Sequence, residues 1–140
     1  MTTPFSGGCY CGAVRYECSS EPVHSVHCFC GHCQKFSGTQ MSTNIAVPKS
    51  GVKITKGQPA EFTTTGDSGK KIKRSFCAKC GSPLFSEPEL LEGTLIIKVG
   101  SLDDSSWVQP AASIYVESAA SWSIIPEGIP QFGKLPPSPA

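Results

Sequence analysis

Charge is scarce in this sequence, and so is any long apolar run. Only 16% of the 140 residues are Asp, Glu, Lys or Arg, well below what a coiled coil or a disordered polyelectrolyte carries, so both classes are excluded. Twelve basic residues against eleven acidic ones leave a formal charge of +1, without the basic excess by which a general nucleic-acid binder grips phosphates. No apolar stretch approaches the roughly 20 residues of a membrane-spanning helix. The opening residues 1–6 lack the basic and apolar regions of a secretion signal, which predicts a cytoplasmic protein. One domain is expected for this length. It should occupy residues 1–135, and the proline-rich residues 136–140 hold no large apolar anchor and are expected to form a disordered tail.

Uninterrupted helical sequence is lacking too. Fourteen Gly and twelve Pro are spread along the chain and break helical periodicity wherever it begins, so a mostly β fold of antiparallel strands is expected. Residues 13–18 alternate, with Val14, Tyr16 and Cys18 on one face and Arg15 and Glu17 on the other. Residues 41–47 alternate until Pro48, and 52–55 repeat the pattern. Residues 61–65 and 71–76 flank the turn signal Gly66-Asp67-Ser68-Gly69 and read as a hairpin. Residues 95–99 are apolar at nearly every position, as in a strand buried on both faces, and 112–116 are expected to pair with them. Short helical turns are placed near 34–38 and 87–92.

Cysteine is the residue present in surplus. Seven of the eight are grouped, as Cys9 and Cys11, as Cys28, Cys30 and Cys33, and as Cys77 and Cys80, while Cys18 stands alone and completes an apolar strand face. In a cytoplasmic protein such groups point to metal binding ahead of disulfides. Cys9 and Cys11, at strand spacing, can reach one ion, with Gly7, Gly8 and Gly12 allowing the backbone to fold closely around it. Cys77-Ala78-Lys79-Cys80-Gly81 has the form of a zinc knuckle. Four thiolates make a closed structural site, whereas the three of the central group leave a fourth position vacant or filled by His27 or His32. Spacing does not say whether Cys77 and Cys80 share an ion with Cys9 and Cys11 or with Cys28 and Cys30.

These motifs resemble those of the glutathione-dependent formaldehyde-activating enzymes, a family that includes the centromere protein V branch. The resemblance lies in Gly8-Cys9-Tyr10-Cys11-Gly12-Ala13-Val14-Arg15-Tyr16, in residues 28–38 from Cys28 through Cys33 to Gly38, in Phe76-Cys77-Ala78-Lys79-Cys80-Gly81-Ser82-Pro83-Leu84, and in Ile114 to Ser118 with Trp122. Phe29 and Gln34 stand where the family's central motif more often has His and Arg. The resemblance implies a single-domain β-tent-like zinc fold. It implies one structural Zn²⁺ on Cys9, Cys11, Cys77 and Cys80, and a second, labile and catalytic Zn²⁺ on Cys28, Cys30 and Cys33. It also implies carbon–sulfur lyase chemistry that joins glutathione and formaldehyde into S-hydroxymethylglutathione.

The residues fit that chemistry. A thiolate-rich zinc is a weak activator of water but a good host for a substrate thiol, held deprotonated beside an aldehyde. His32, His27 and the more distant His24 are the candidate proton carriers, and His32 is the one assigned to the site. Lys35, Ser37, Gly38 and Thr39, which follow the central cysteines, are the candidate substrate contacts. Lys70, Lys71, Lys73 and Arg74 read as a solvated hairpin edge that could also receive an anion. Trp107, Tyr115 and Trp122 read mainly as core. Two alternatives stand beside a thiol and small-carbonyl enzyme: a non-catalytic zinc module with the central site closed by His27 or His32, and an enzyme of the same fold acting on another metabolite in a pocket shaped by Phe29.

Overall fold

A computed structural model describes residues 3–136, and residues 137–140 of the expected tail lie outside them. The strands are β1 (Phe5–Gly8), β2 (Arg15–Cys18), β3 (His24–Cys28), β4 (Ser42–Pro48), β5 (Val52–Lys56), β6 (Ala60–Thr65), β7 (Lys71–Phe76), β8 (Pro83–Pro88), β9 (Thr94–Lys98) and β10 (Ala112–Ile114). The α-helix α1 (Gly31–Ser37) and short 3-10 turns complete the set. A three-stranded sheet in the order β1-β2-β5 faces a seven-stranded sheet in the order β10-β3-β4-β9-β8-β7-β6. The fold is therefore mostly β, as the glycine and proline content predicts.

The core lies between the sheets. Val14, with Tyr16 and Cys18 of β2, meets Ile45 and Val47 of β4, Phe85 of β8, and Leu95 and Ile97 of β9. Tyr16 sets its ring edge-on to Phe85, with centroids 4.9 Å apart, and its hydroxyl bonds Ser101 Oγ at 2.6 Å, so a buried polar tip keeps a partner. Burial pushes that phenol up to about 12. Cys18 is fully buried in this core, as its alternation predicts, and burial raises its thiol.

The opposite face of the large sheet is polar. Residues directly opposite one another point to the same side, and the register pairs Cys28 with Ser42, Asn44 with Lys98, Ile96 with Ser86, and Ser86 with Arg74. Cys28, Ser42, Asn44, Lys98, Ser86 and Arg74 therefore share the face that α1 covers.

Several expectations need correction. Residues 112–114 do not pair with β9; they lie parallel to β3 at the far edge of the sheet, because β4 and β8 already occupy both sides of β9. The helix starts at Gly31, before the expected 34–38, because Cys30 caps it by accepting from the Cys33 N–H. Strands β1, β3 and β8 had no clear alternation in sequence, since glycines and serines stand at buried positions. The hairpin of β6 and β7 and the 3-10 turn at Glu89–Leu91 lie where predicted.

Candidate metal and thiol site

The first cysteine group works through a turn, not through strand geometry. Strand β1 ends at Gly8, and the chain then folds back with the Gly12 N–H on the Cys9 carbonyl at 3.2 Å. Cys77 to Gly81 makes a matching turn, closed by the Gly81 N–H on the Cys77 carbonyl at 2.8 Å. Gly12 and Gly81 both sit at φ 79°, a conformation that side chains with a Cβ rarely adopt. The two turns face each other, and the sulfurs of Cys9, Cys11, Cys77 and Cys80 all lie within 4.8 Å of one another.

This donor set fits a metal ion. Four sulfurs at roughly 2.3 Å from a tetrahedral zinc stand about 3.8 Å apart, and here Cys9 and Cys11 are separated by 3.6 Å and Cys11 and Cys77 by 3.8 Å. Backbone N–H groups also point at sulfur: Val14 to Cys9 at 3.2 Å, and Lys79 and Cys80 to Cys77, both at 3.4 Å. Ser82 donates to Cys80 and pushes that thiol down to about 5, as a ligand that must be deprotonated requires.

The second group is local. Cys28 ends β3, Cys30 caps α1 and Cys33 sits in its first turn, so one strand-to-helix junction brings the three sulfurs within 4.8 Å of one another. Hydrogen bonds from Cys28 and Cys33 lower the Cys30 thiol strongly, and the nearby Arg74 charge assists. Among the described residues no His, Asp or Glu joins this trio. His27 is excluded by strand parity: it points to the face opposite Cys28 and bonds Thr43 Oγ1 at 2.9 Å. His24 is exposed at the start of β3, and His32 is exposed on α1. Of the two alternatives for the fourth position, the one filled by His27 or His32 is not what these positions favour. Both clusters could hold a metal ion, and their sulfur-only donors are compatible with zinc.

Two buried cations border the trio: Lys98, which the sequence did not single out, and Arg74, which it placed on a solvated hairpin edge that could also receive an anion. Lys98, only 6% exposed, donates to Ser42 Oγ at 2.9 Å and Asn44 Oδ1 at 3.2 Å. Burial lowers its ammonium, and the Cys33 thiolate works against that lowering. Arg74, 5% exposed, donates to Ser86 Oγ at 3.2 Å, so it is not part of a solvated edge. Both charges lie 5.4 Å from the Phe36 ring centre. Among the described residues neither has a carboxylate at ion-pair distance. A signal for Arg74 existed in its parity with Ile72 and Phe76, opposite Lys73, which instead pairs with Glu61 and Glu87 at the surface.

Two openings flank α1. A cleft of about 850 Å³ reaches Tyr10, Ser37, Thr39, Ser42 and Lys98, and a groove of about 490 Å³ reaches His32, Lys35, Phe36, Phe62, Thr64 and Arg74. The expected substrate contacts are thus divided: Lys35 borders the groove, and Ser37 and Thr39 border the cleft. Ser37 uses its hydroxyl on the Cys33 and Met41 carbonyls, and Gly38 is the left-handed C-cap of α1 at φ 74°, bordering neither opening. Phe29 is fully buried and lines neither opening. Gln34 ties the helix down by donating to the carbonyls of Phe29 and Ser118. Trp107 packs on Phe5, whereas Trp122 is 70% exposed and so not core.

No helix among the described residues is long and apolar enough to cross a membrane. In fold, 90% of the chain superposes on 98% of a solved Rhodobacter sphaeroides protein with a TM-score of 0.59 at 18% identity. In sequence, it is 30% identical over 122 residues to a Penicillium rubens protein that bears the name of a glutathione-dependent formaldehyde-activating enzyme. That alignment covers 81% of this chain and 63% of the relative. The sequence profile of the glutathione-dependent formaldehyde-activating enzymes matches residues 4–118, and the chain belongs to that family.

Proposed function

We propose that the chain is a zinc-dependent carbon–sulfur lyase that joins glutathione, or another thiol, to formaldehyde or a small carbonyl. In this reading Cys9, Cys11, Cys77 and Cys80 hold a structural zinc. Cys28, Cys30 and Cys33 hold a second, exchangeable one. The observation that carries the reading is the contrast between four converging sulfurs and three: a zinc on the trio would keep one coordination position for a substrate, next to a helix that two openings flank.

Zinc bound at the trio supplies the Lewis acidity that keeps a substrate thiol deprotonated near neutral pH. The chain's own residues do the rest. Lys98 and Arg74 hold positive charge beside the sulfurs and favour an anion there. Phe36 sets its ring against both cations. The thiolate sulfur attacks the carbonyl carbon, the carbon–sulfur bond forms, and the carbonyl π pair moves to oxygen, which takes up one proton. His32, at the mouth of the groove, is the imidazole assigned to carry that proton. Lys35 borders the same groove as a contact for the substrate, and Ser37 and Thr39, also assigned to the substrate, border the cleft. Holding both reactants turns a bimolecular encounter into a local one.

The test is exchange NMR of glutathione and formaldehyde with the zinc-loaded chain. The formation rate of S-hydroxymethylglutathione should rise at least a hundredfold over the spontaneous reaction and return to it in Cys30→Ser. A rate equal to the spontaneous one for the wild type would overturn the reading.

A further inference from the structure

We propose that strand β6 is the interface of a homodimer, pairing antiparallel with β6 of a second copy of this chain across a two-fold axis at Thr63, so that the large sheets of the two copies become one.

The two sheets have four edges, β1, β5, β10 and β6, and three of them are guarded. The outer side of β10 is taken by the C-terminal segment, through the Ser113 N–H on the Pro130 carbonyl and the Phe132 N–H on the Ser113 carbonyl, both at 2.9 Å. β1 is covered by the segment after β9, through the Asp103 N–H on the Ser6 carbonyl at 3.0 Å and the bridge of Gly7 to Leu102. β5 carries Lys53 and Lys56, both exposed, the kind of charge by which natural edges resist strand addition. β6 holds neither Lys nor Pro, and among the described residues no segment pairs with its outer side. Its one charge, Glu61, is tied back to Lys73 of β7 at 3.1 Å, and Phe62 stands 62% exposed beside it. Such an open edge is a template for another strand.

The hairpin decides which backbone groups face outward. The Gly66 N–H bonds the Lys70 carbonyl at 2.7 Å, and the same register runs on to Ala60 opposite Phe76. Bonded pairs alternate along an antiparallel ladder. Phe62 and Thr64 therefore use their N–H and C=O groups on β7, while Glu61, Thr63 and Thr65 present theirs to the outside. These three lie evenly about Thr63, which makes the edge complementary to itself, as a two-fold contact requires. Thr63 meets Thr63 of the partner subunit, Glu61 meets Thr65 of the partner subunit, and Thr65 meets Glu61 of the partner subunit, each pair exchanging both N–H···O bonds. No like charges stand opposite one another. Phe62 faces Thr64 of the partner subunit, and aromatic with β-branched and Thr with Thr are favourable cross-strand pairs. Because Thr64 lines the groove beside α1, Phe62 of the partner subunit extends that groove's apolar wall, and each copy completes an opening of the other.

The experiment is analytical ultracentrifugation of the full chain at about 100 μM, a concentration that populates even a weak homodimer. The wild type should sediment at twice the 14.8 kDa of one chain. Thr63→Lys sets like charges against each other at the axis, and Thr63→Pro removes an N–H that the ladder with β7 does not use. Both should sediment as single chains. Should Thr63→Pro fail to fold, Thr63→Lys still decides, because position 63 is exposed in the single chain. Hydrogen exchange then locates the interface: the Glu61 and Thr65 amides should exchange about tenfold slower in the wild type than in Thr63→Lys. A wild type that sediments as a single chain overturns the proposal. So does a dimer that survives Thr63→Lys, or equal exchange at Glu61 and Thr65 in the two proteins, because the interface would then lie elsewhere.

Discussion

The two cysteine clusters use the same atom for opposite ends. Cys9 and Cys11 meet Cys77 and Cys80 across 66 residues of sequence, and Cys9 and Cys77 are themselves part of the apolar core. An ion there would cross-link two turns that already meet through the Tyr10 N–H on Ser82 Oγ at 2.9 Å. The trio is confined to six consecutive residues, from Cys28 to Cys33, lies on the polar face of the large sheet and is bordered by two buried cations. What it holds constrains one junction. On the proposed reading, ligand number and what the ligands join act together: four thiolates that bridge distant turns make a structural site, and three gathered at one junction leave a thiolate site available for chemistry.

That contrast breaks first at Cys77. A structural zinc contributes about 10–16 kcal/mol in small domains near pH 7, as much as the whole stability of a typical protein. Cys77→Ser should therefore abolish cooperative folding, read as loss of the dispersed amide NMR spectrum. A Cys77→Ser variant that melts like the wild type would erase the distinction. Cys30→Ser should do the reverse. Serine is at least as good an N-cap as the cysteine it replaces, so α1 keeps its cap, Tm moves by only a few degrees in calorimetry, and the thiol–formaldehyde rate falls by roughly a hundredfold or more.

Lys98→Met comes next in size. It strips Ser42 and Asn44 of a buried donor and should cost about 1–3 kcal/mol in urea denaturation. The count of metal ions retained at the four-cysteine cluster, read by native mass spectrometry, should not change.

The sequence revealed the ligands better than their surroundings. Cysteine spacing is a local signal, and all seven grouped cysteines could be singled out before any strand was paired. The division into four and three could not be read from spacing, because it depends on which turns the two sheets bring together. Only family resemblance pointed to it, and the sulfur positions agree. Lys98 was hidden in a run that reads as apolar, because the burial of a cation is decided by the partner across the ladder, here Asn44. Arg74 was hidden among solvated lysines, although its parity with Ile72 and Phe76 placed it inward. The edge pairing of β10 was missed because nothing local distinguishes a parallel partner 86 residues away from an antiparallel one nearby, as Ala112 opposite Val26 shows.

The smallest effect lies at a surface clamp near the four-cysteine end. Arg15 and Asp103 form a two-pronged ion pair tying β2 to the segment after β9, and the guanidinium holds the Asp103 carboxyl below its usual range. A depressed carboxylate contributes stability above its unfolded value, about 3.9, and loses it as pH falls through the folded value. The pair is 35% and 51% exposed, so solvent screening keeps its contribution under about 1 kcal/mol. Asp103→Asn should therefore lower stability slightly at pH 7 in urea denaturation, and the difference from the wild type should close as pH drops below about 4.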